Sequence, residues 1–159
     1  MELKKVLVPV DGSPVAETIL PFIEEIGGPL DMEIILRVVP LTSLEVVAMA
    51  RKVGPGDPIV KELEAQGYLE PLVEALKAKG IRAGGRVRIG DPATEIVAAA
   101  KEIGADVIAM TTHGRSGLGR LLFGSVAEAV LRASPIPVFL MRMTEAAMPS
   151  ALVREGKPA

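Results

Sequence analysis

Cysteine is missing from all 159 positions, so the chain forms no disulfide and offers no thiolate to a metal. Histidine occurs once, at His113, so a metal site would have to be built almost wholly of carboxylates. Tryptophan is absent, and one tyrosine and three phenylalanines make up the aromatic complement. So few rings leave little to stack on an isoalloxazine, which disfavours a flavin-binding domain of the flavodoxin type. Charge of one sign is lacking too, with 18 basic residues against 20 acidic ones. The formal net charge of -2 gives no sign of a nucleic-acid-binding surface. The opening MELKKVLVPV holds a brief apolar run, too short for a secretory leader and far too short to span a bilayer. The expectation is a soluble cytoplasmic protein with neither nucleic acid nor membrane as partner.

What remains is a regular alternation. Apolar runs rich in β-branched residues lie at 4–10, 33–39, 106–112 and 136–141, separated by helical patterns. Residues 81–89, with basic side chains, make a weaker fifth strand. Near-continuous apolar runs suit parallel strands buried on both faces. Ser13-Pro14, Asp57-Pro58 and Asp91-Pro92 each set a capping residue before a proline at the first helical position. Gly27-Gly28, Gly80 and Gly104 supply the matching stops. Ser125 opens the last helix, with Glu128 at capping-box spacing. Gly67 and Pro71 fall inside the second helix, which predicts a kink or break there. Residues 40–57 exceed a normal connection, and a short helix is expected around 43–53. The pattern is that of an α/β protein: a doubly wound open sheet of five mainly parallel strands, with helices on both faces. One domain is expected over 1–142. A C-terminal extension over 143–159 follows, and its small, charged and proline residues predict a partly mobile end.

In such a sheet, ligands bind beyond the carboxyl ends of the strands, where the strand order reverses. The first strand ends in PVDGSP, and the fourth runs into MTTHGRSGLGRLLFGSVAEAV at 110–130. If these strands are neighbours, Asp11 and the glycine loop face each other across one crevice. Gly114, Gly117, Gly119 and Gly124 leave main-chain N–H groups open to an anion. The helix from Ser125 would point its positive end at the same place. That is a nucleotide-shaped arrangement. Asp11 would accept hydrogen bonds from ribose hydroxyls or hold a metal ion bound to phosphates; its other reading is a plain turn residue. Arg115 and Arg120 would clamp phosphates or face solvent. His113 has no serine or cysteine partner at catalytic spacing and reads as a structural hydrogen-bonder. Neither GxxxxGK[ST], GxGxxG after the first strand, nor GxSxG is present.

THGRSGLGRLLFGSVAEAVLRASPIPVFLMR resembles the C-terminal signature of the universal stress protein family, and KKVLVPVDGSPVAE resembles its first strand and turn. Nucleotide-binding members of that family carry G-x2-G-x9-G-[ST] after the fourth strand. Gly114, nine residues and then Gly124-Ser125 match; the leading glycine position holds Thr111. Threonine still supplies an N–H there, and adds a branched side chain where phosphate or ribose would approach. The resemblance implies a Rossmann-like strand order of 3-2-1-4-5 and an adenine nucleotide, ATP first, with or without Mg2+. By the same resemblance Pro9 and Val38 border the adenine, Met110 lies against the base, and Asp11 binds ribose or a metal. Gly114, Gly124, Ser125 and Val126 surround the phosphates, and Val10, Thr111, Arg115 and Gly117 complete the set. It further implies a homodimer through strand 136–141.

Two functions follow. The first is an adenine-nucleotide-binding stress-response or regulatory protein, at most a slow ATPase, because no base or water-positioning residue stands beside the glycine loop. The second is an interaction module of the same fold with a degenerate site, working through its dimer surface or residues 40–57. A phospho-accepting receiver domain is disfavoured, since it wants an acidic cluster after the first strand, where Asp11 is followed by Gly-Ser-Pro.

Overall fold

Five strands form one sheet in the computed structural model, which describes residues 3–12, 14–26, 34–39, 58–113 and 125–143. They are β1 (Val6–Val10), β2 (Ile34–Val39), β3 (Gly85–Ile89), β4 (Val107–His113) and β5 (Val138–Met143). All recorded pairings are parallel, in the order β3-β2-β1-β4-β5. The helices among the described residues are α1 (Pro14–Glu17), α2 (Ile19–Ile26), α3 (Pro58–Ala78), α4 (Pro92–Ile103) and α5 (Ser125–Ala133).

Strand period and burial together explain the layering. Val6, Val8 and Val10 of β1 pack into a cluster with Ile19 and Ile23 of α2 and Leu69, Val73 and Leu76 of α3. Leu7, pointing the other way, joins Ile96, Val97 and Ala100 of α4 and Val130 of α5. β4 alternates likewise, with Ala109 on the first side and Ile108 and Met110 on the second. Leu7, Val8 and Ile108 are wholly buried. Burial of each such side chain stabilises the fold by roughly 1.5–3 kcal/mol. This is why the strands read as continuous apolar runs.

Helix ends are set chemically. Asp91 caps α4: its carboxylate accepts from the Thr94 backbone N–H at 3.0 Å and from the Thr94 hydroxyl at 2.7 Å. Its far end closes on Gly104 at φ 66°, where Gly104 N–H donates to Lys101 and Ala105 N–H to Ala100. Gly80, at φ 79°, ends α3 in the same way, with Ile81 N–H reaching back to the Leu76 carbonyl at 3.1 Å. Both are left-handed glycine stops.

Of the kink or break predicted near Pro71, the break is absent: α3 runs as one helix from Pro58 to Ala78, with Pro71 inside it. The carbonyl that a proline at 71 leaves without a donor, and against which its ring crowds, is that of Gly67. Both residues are exposed, so that carbonyl can turn to water, and glycine gives the freedom to tilt it. Strand boundaries also move. β3 begins at Gly85 because Ile81 is held in the helix cap. β5 covers Val138–Met143, not 136–141, because the Ser134 hydroxyl ties Ile136 into a turn through its N–H and carbonyl. Ser13, Gly27-Gly28, residues 40–57 and 144–159 lie outside the described residues.

Candidate functional site

The order of the sheet reverses between β1 and β4. Among the described residues these strands pair at Val6↔Val107 and Leu7↔Ile108 alone, near their amino ends. On its other side β4 pairs with β5 all the way from Ile108↔Val138 to His113↔Met143. The carboxyl halves of β1 and β4 are therefore not bridged to each other. Such a reversal is where open α/β sheets take ligands.

The amino ends, by contrast, are locked. The Asp106 carboxylate accepts from the backbone N–H groups of Lys4 at 3.0 Å and Lys5 at 2.9 Å. Those hydrogen bonds, that from Lys5 foremost, hold its carboxyl below the usual carboxylate range.

Several of the expected residues fall at the ends of the elements that meet this region. Pro9 and Val10 close β1, with Pro9 half-buried and Val10 buried. Asp11 follows, exposed, and Gly12 turns the chain away at φ 88°, a left-handed angle that glycine adopts without strain. Val38 lies near the carboxyl end of β2, in register with Arg88 of β3. Thr111 and Thr112 lie near the carboxyl end of β4. Ser125 and Val126 begin α5, both exposed. Glu128, expected to close a capping box, instead accepts from Arg132 at 2.6 Å. Met110 is only 6 % exposed and sits in the apolar layer between the sheet, α4 and α5. Gly114, Arg115, Gly117 and Gly124 lie outside the described residues, as do Gly119 and Arg120.

Sequence reasoning passed over one feature of this end. The Thr111 and Thr112 hydroxyls are both buried and have no hydrogen-bond partner among the described residues. Thr112 is the one buried polar residue among those described, at 2 % exposure. An unmade hydrogen bond at a buried hydroxyl costs about 1–3 kcal/mol, so native proteins rarely leave such a group without use for it. The signal was available: TTH is the polar end of an otherwise apolar strand. Among the described residues no cluster of three acidic, histidine or cysteine side chains is arranged to hold a metal. No helix among them is long and apolar enough to cross a membrane.

Comparison with known proteins gives this geometry its relatives. Universal stress protein MJ0531 of Methanocaldococcus jannaschii is 31% identical over 143 residues, covering 87% of this chain and 82% of its own. MJ0577 of the same organism is 28% identical, and the match covers 87% of this chain and 94% of that protein. The solved structure of MJ0577 superposes with a TM-score of 0.73 over 91% of this chain and 99% of the other. A universal stress protein from Archaeoglobus fulgidus, solved in complex with dAMP, shares the fold at 22% identity and a TM-score of 0.59, covering 87% and 97%. The model of the Universal stress protein family matches residues 2–142, and with the sheet and relatives just described the chain belongs to that family.

Proposed function

We propose that this protein binds an adenine nucleotide, ATP first, across the reversal between β1 and β4, and acts in stress response or regulation. The observation that carries this reading is the end of β4 where it parts from β1: the Thr111 and Thr112 hydroxyls, on opposite faces of the strand, are buried there without a hydrogen-bond partner among the described residues. Such groups are matched by a ligand rich in hydrogen-bonding oxygens. Asp11 would accept from the ribose hydroxyls or help hold Mg2+ on the phosphates. Pro9, Val10 and Val38 would border the base, above the apolar layer that contains Met110. Ser125 and Val126 open a nine-residue helix, whose positive end would attract phosphate. Gly114, Arg115, Gly117 and Gly124 would complete the phosphate loop, and Thr111 adds a hydroxyl where the family motif has glycine. A bound nucleotide would supply the phosphates that a transfer reaction needs; the chain offers no evident base, so any hydrolysis would be slow. The complex of the Archaeoglobus fulgidus relative with dAMP speaks for that protein, and supports the fold as able to take such a ligand.

The functional unit would be residues 1–142 in the cytoplasm, as a homodimer through β5. Calorimetry with ATP and GTP tests the nucleotide reading. ATP is expected to bind more tightly, because the apolar residues on the base side offer no obvious side-chain acceptor for the guanine amino group. Equal affinities would sink a base-reading pocket. Absence of binding to both would leave the interaction module with a degenerate site.

A further inference from the structure

On the α5 side of the sheet, the row of paired side chains along β4 and β5 ends in an unlike pair. Ile108↔Val138 and Met110↔Leu140 are register partners, and all of them pack into the layer with Ala127 and Val130 of α5. Partners in a parallel ladder share a face, and every second residue returns to it. The next pair in that row is Thr112↔Arg142. A threonine and an arginine thus stand where the pattern would continue with aliphatic side chains.

Helix α5 brings its start to the same level. It packs on this face through Ala127 and Val130, and a short turn joins its end to β5, where the Pro137 carbonyl accepts from the Ile108 N–H at 2.9 Å. From that turn the nine residues of the helix run back about 13 Å. The strand climbs a similar distance, roughly 13 Å, from Val138 to Arg142. The amino end of α5, with Ser125 and Val126, therefore lies near the level of Thr112 and Arg142.

What meets at that level favours one kind of ligand. The Thr112 hydroxyl is buried, at 2 % exposure, with no partner among the described residues. The Arg142 side chain is exposed, and among the described residues its guanidinium makes no ion pair or hydrogen bond. The helix start adds N–H groups without intrahelical partners and the positive end of its dipole. Glu128, the acid of the first turn, is taken up by Arg132 at 2.6 Å. A guanidinium, a hydroxyl and a helix start together suit a phosphate group.

We infer that Arg142, with Thr112 beside it, holds the far phosphates of the nucleotide and makes the site prefer a triphosphate to a monophosphate. This rests on the nucleotide reading given above. In the sheet β5 lies two strand spacings, roughly 10 Å, from β1. A ligand with its base and ribose at β1 reaches Arg142 only with the end of its phosphate chain.

Calorimetry of the full chain with ATP and with AMP is the test. The wild type should bind ATP more tightly than AMP by about tenfold or more. Arg142→Gln should remove most of that preference, weakening ATP and leaving AMP unchanged; the position is exposed, so the core stays intact. Arg142→Lys should keep part of it, since a point charge without the planar fork still attracts phosphate. The preference should shrink as salt is raised, because exposed charge is screened. Equal wild-type affinities for ATP and AMP would overturn the assignment of Arg142 and leave the nucleotide reading standing. A preference that survives Arg142→Gln would do the same, as would an equal loss of both ligands in that variant. Absence of binding of either nucleotide to the wild type would overturn the nucleotide reading itself, and the role of Arg142 with it.

Discussion

Thr112 sits at 2 % exposure with its hydroxyl unpartnered, and Thr111 shares that lack next door. No partner among the described residues offsets the cost of burying that hydroxyl, which makes Thr112→Val informative. Valine fills nearly the same volume without a polar group to satisfy. The apo protein should gain stability, by about 1 kcal/mol, in a denaturant melt. Nucleotide affinity should fall in the same variant if the hydroxyl is held for a ligand. A gain in stability with unchanged affinity would remove Thr112 from the site. Two carboxylates carry a separate prediction. The Thr94 hydroxyl and N–H hold the Asp91 carboxyl low, and the Lys5 and Lys4 N–H groups do the same for Asp106. A lowered folded pKa contributes stability that is full above the unfolded value and lost as pH falls through the folded one. The melting temperature should therefore drop below about pH 4, where carboxylates ordinarily titrate. Asp91→Asn with Asp106→Asn should flatten that drop, since asparagine keeps an acceptor oxygen and does not titrate. An equally steep acid profile in the double variant would assign the loss to other groups.

Among the elements, α3 gives the sharpest contrast between pattern and outcome. A proline inside a helix normally marks its end, and only the residue four positions earlier explains why this one does not. Gly67 has nothing within 4 Å of where a Cβ would stand, so space does not require glycine there. In an ordinary exposed helix Gly67→Ala would stabilise by about 0.8–1 kcal/mol. If Gly67 serves to relieve Pro71, that gain should shrink beside Pro71 and appear in full beside Pro71→Ala. A double-mutant cycle measures the difference, and strict additivity would show that the two positions are independent. The rest of the helical layer was readable because its signals are local: Asp91-Pro92, Gly80 and Gly104 act within one turn of themselves. Strand existence was readable from apolar runs that both faces bury. Strand ends were not, because they depend on partners far along the chain. Arg142 and Met143 belong to β5 only because Thr112 and His113 lie opposite them. In the site, Asp11 and Thr111 could be singled out from sequence, while the orphaned hydroxyls became visible only once burial was known.

At the scale of the whole molecule, the two edges of the sheet differ in kind. Edge strands expose unpaired N–H and C=O groups, and proteins that stay monomeric guard them with charge. β3 does so: Arg86 and Arg88 alternate along its five residues. β5 does not. Its described side chains run Val138, Phe139, Leu140, Met141 before the first charge at Arg142. Phe139 is 38% exposed and stacks on Phe22 of α2, itself 43% exposed, with ring centroids 5.9 Å apart. Ile26, one turn beyond Phe22, is exposed as well. Among the described residues, apolar surface thus extends from this edge onto the neighbouring helix, which an isolated protein would have reason to avoid. A second copy meeting β5 antiparallel about a two-fold axis would pair the edge and cover both rings. Covering by the residues after Met143 is the competing arrangement, and the two differ in mass. Phe139→Lys should shift the protein toward monomer, because each lysine would meet apolar neighbours or its own symmetry mate. Phe22→Lys should do so more weakly, since it lies off the edge itself. Sedimentation velocity at tens of micromolar, roughly where a specific interface already holds, reads this directly. A wild-type monomer at that concentration, or a dimer indifferent to Phe139→Lys, would place the interface elsewhere or leave the edge to the chain's own tail.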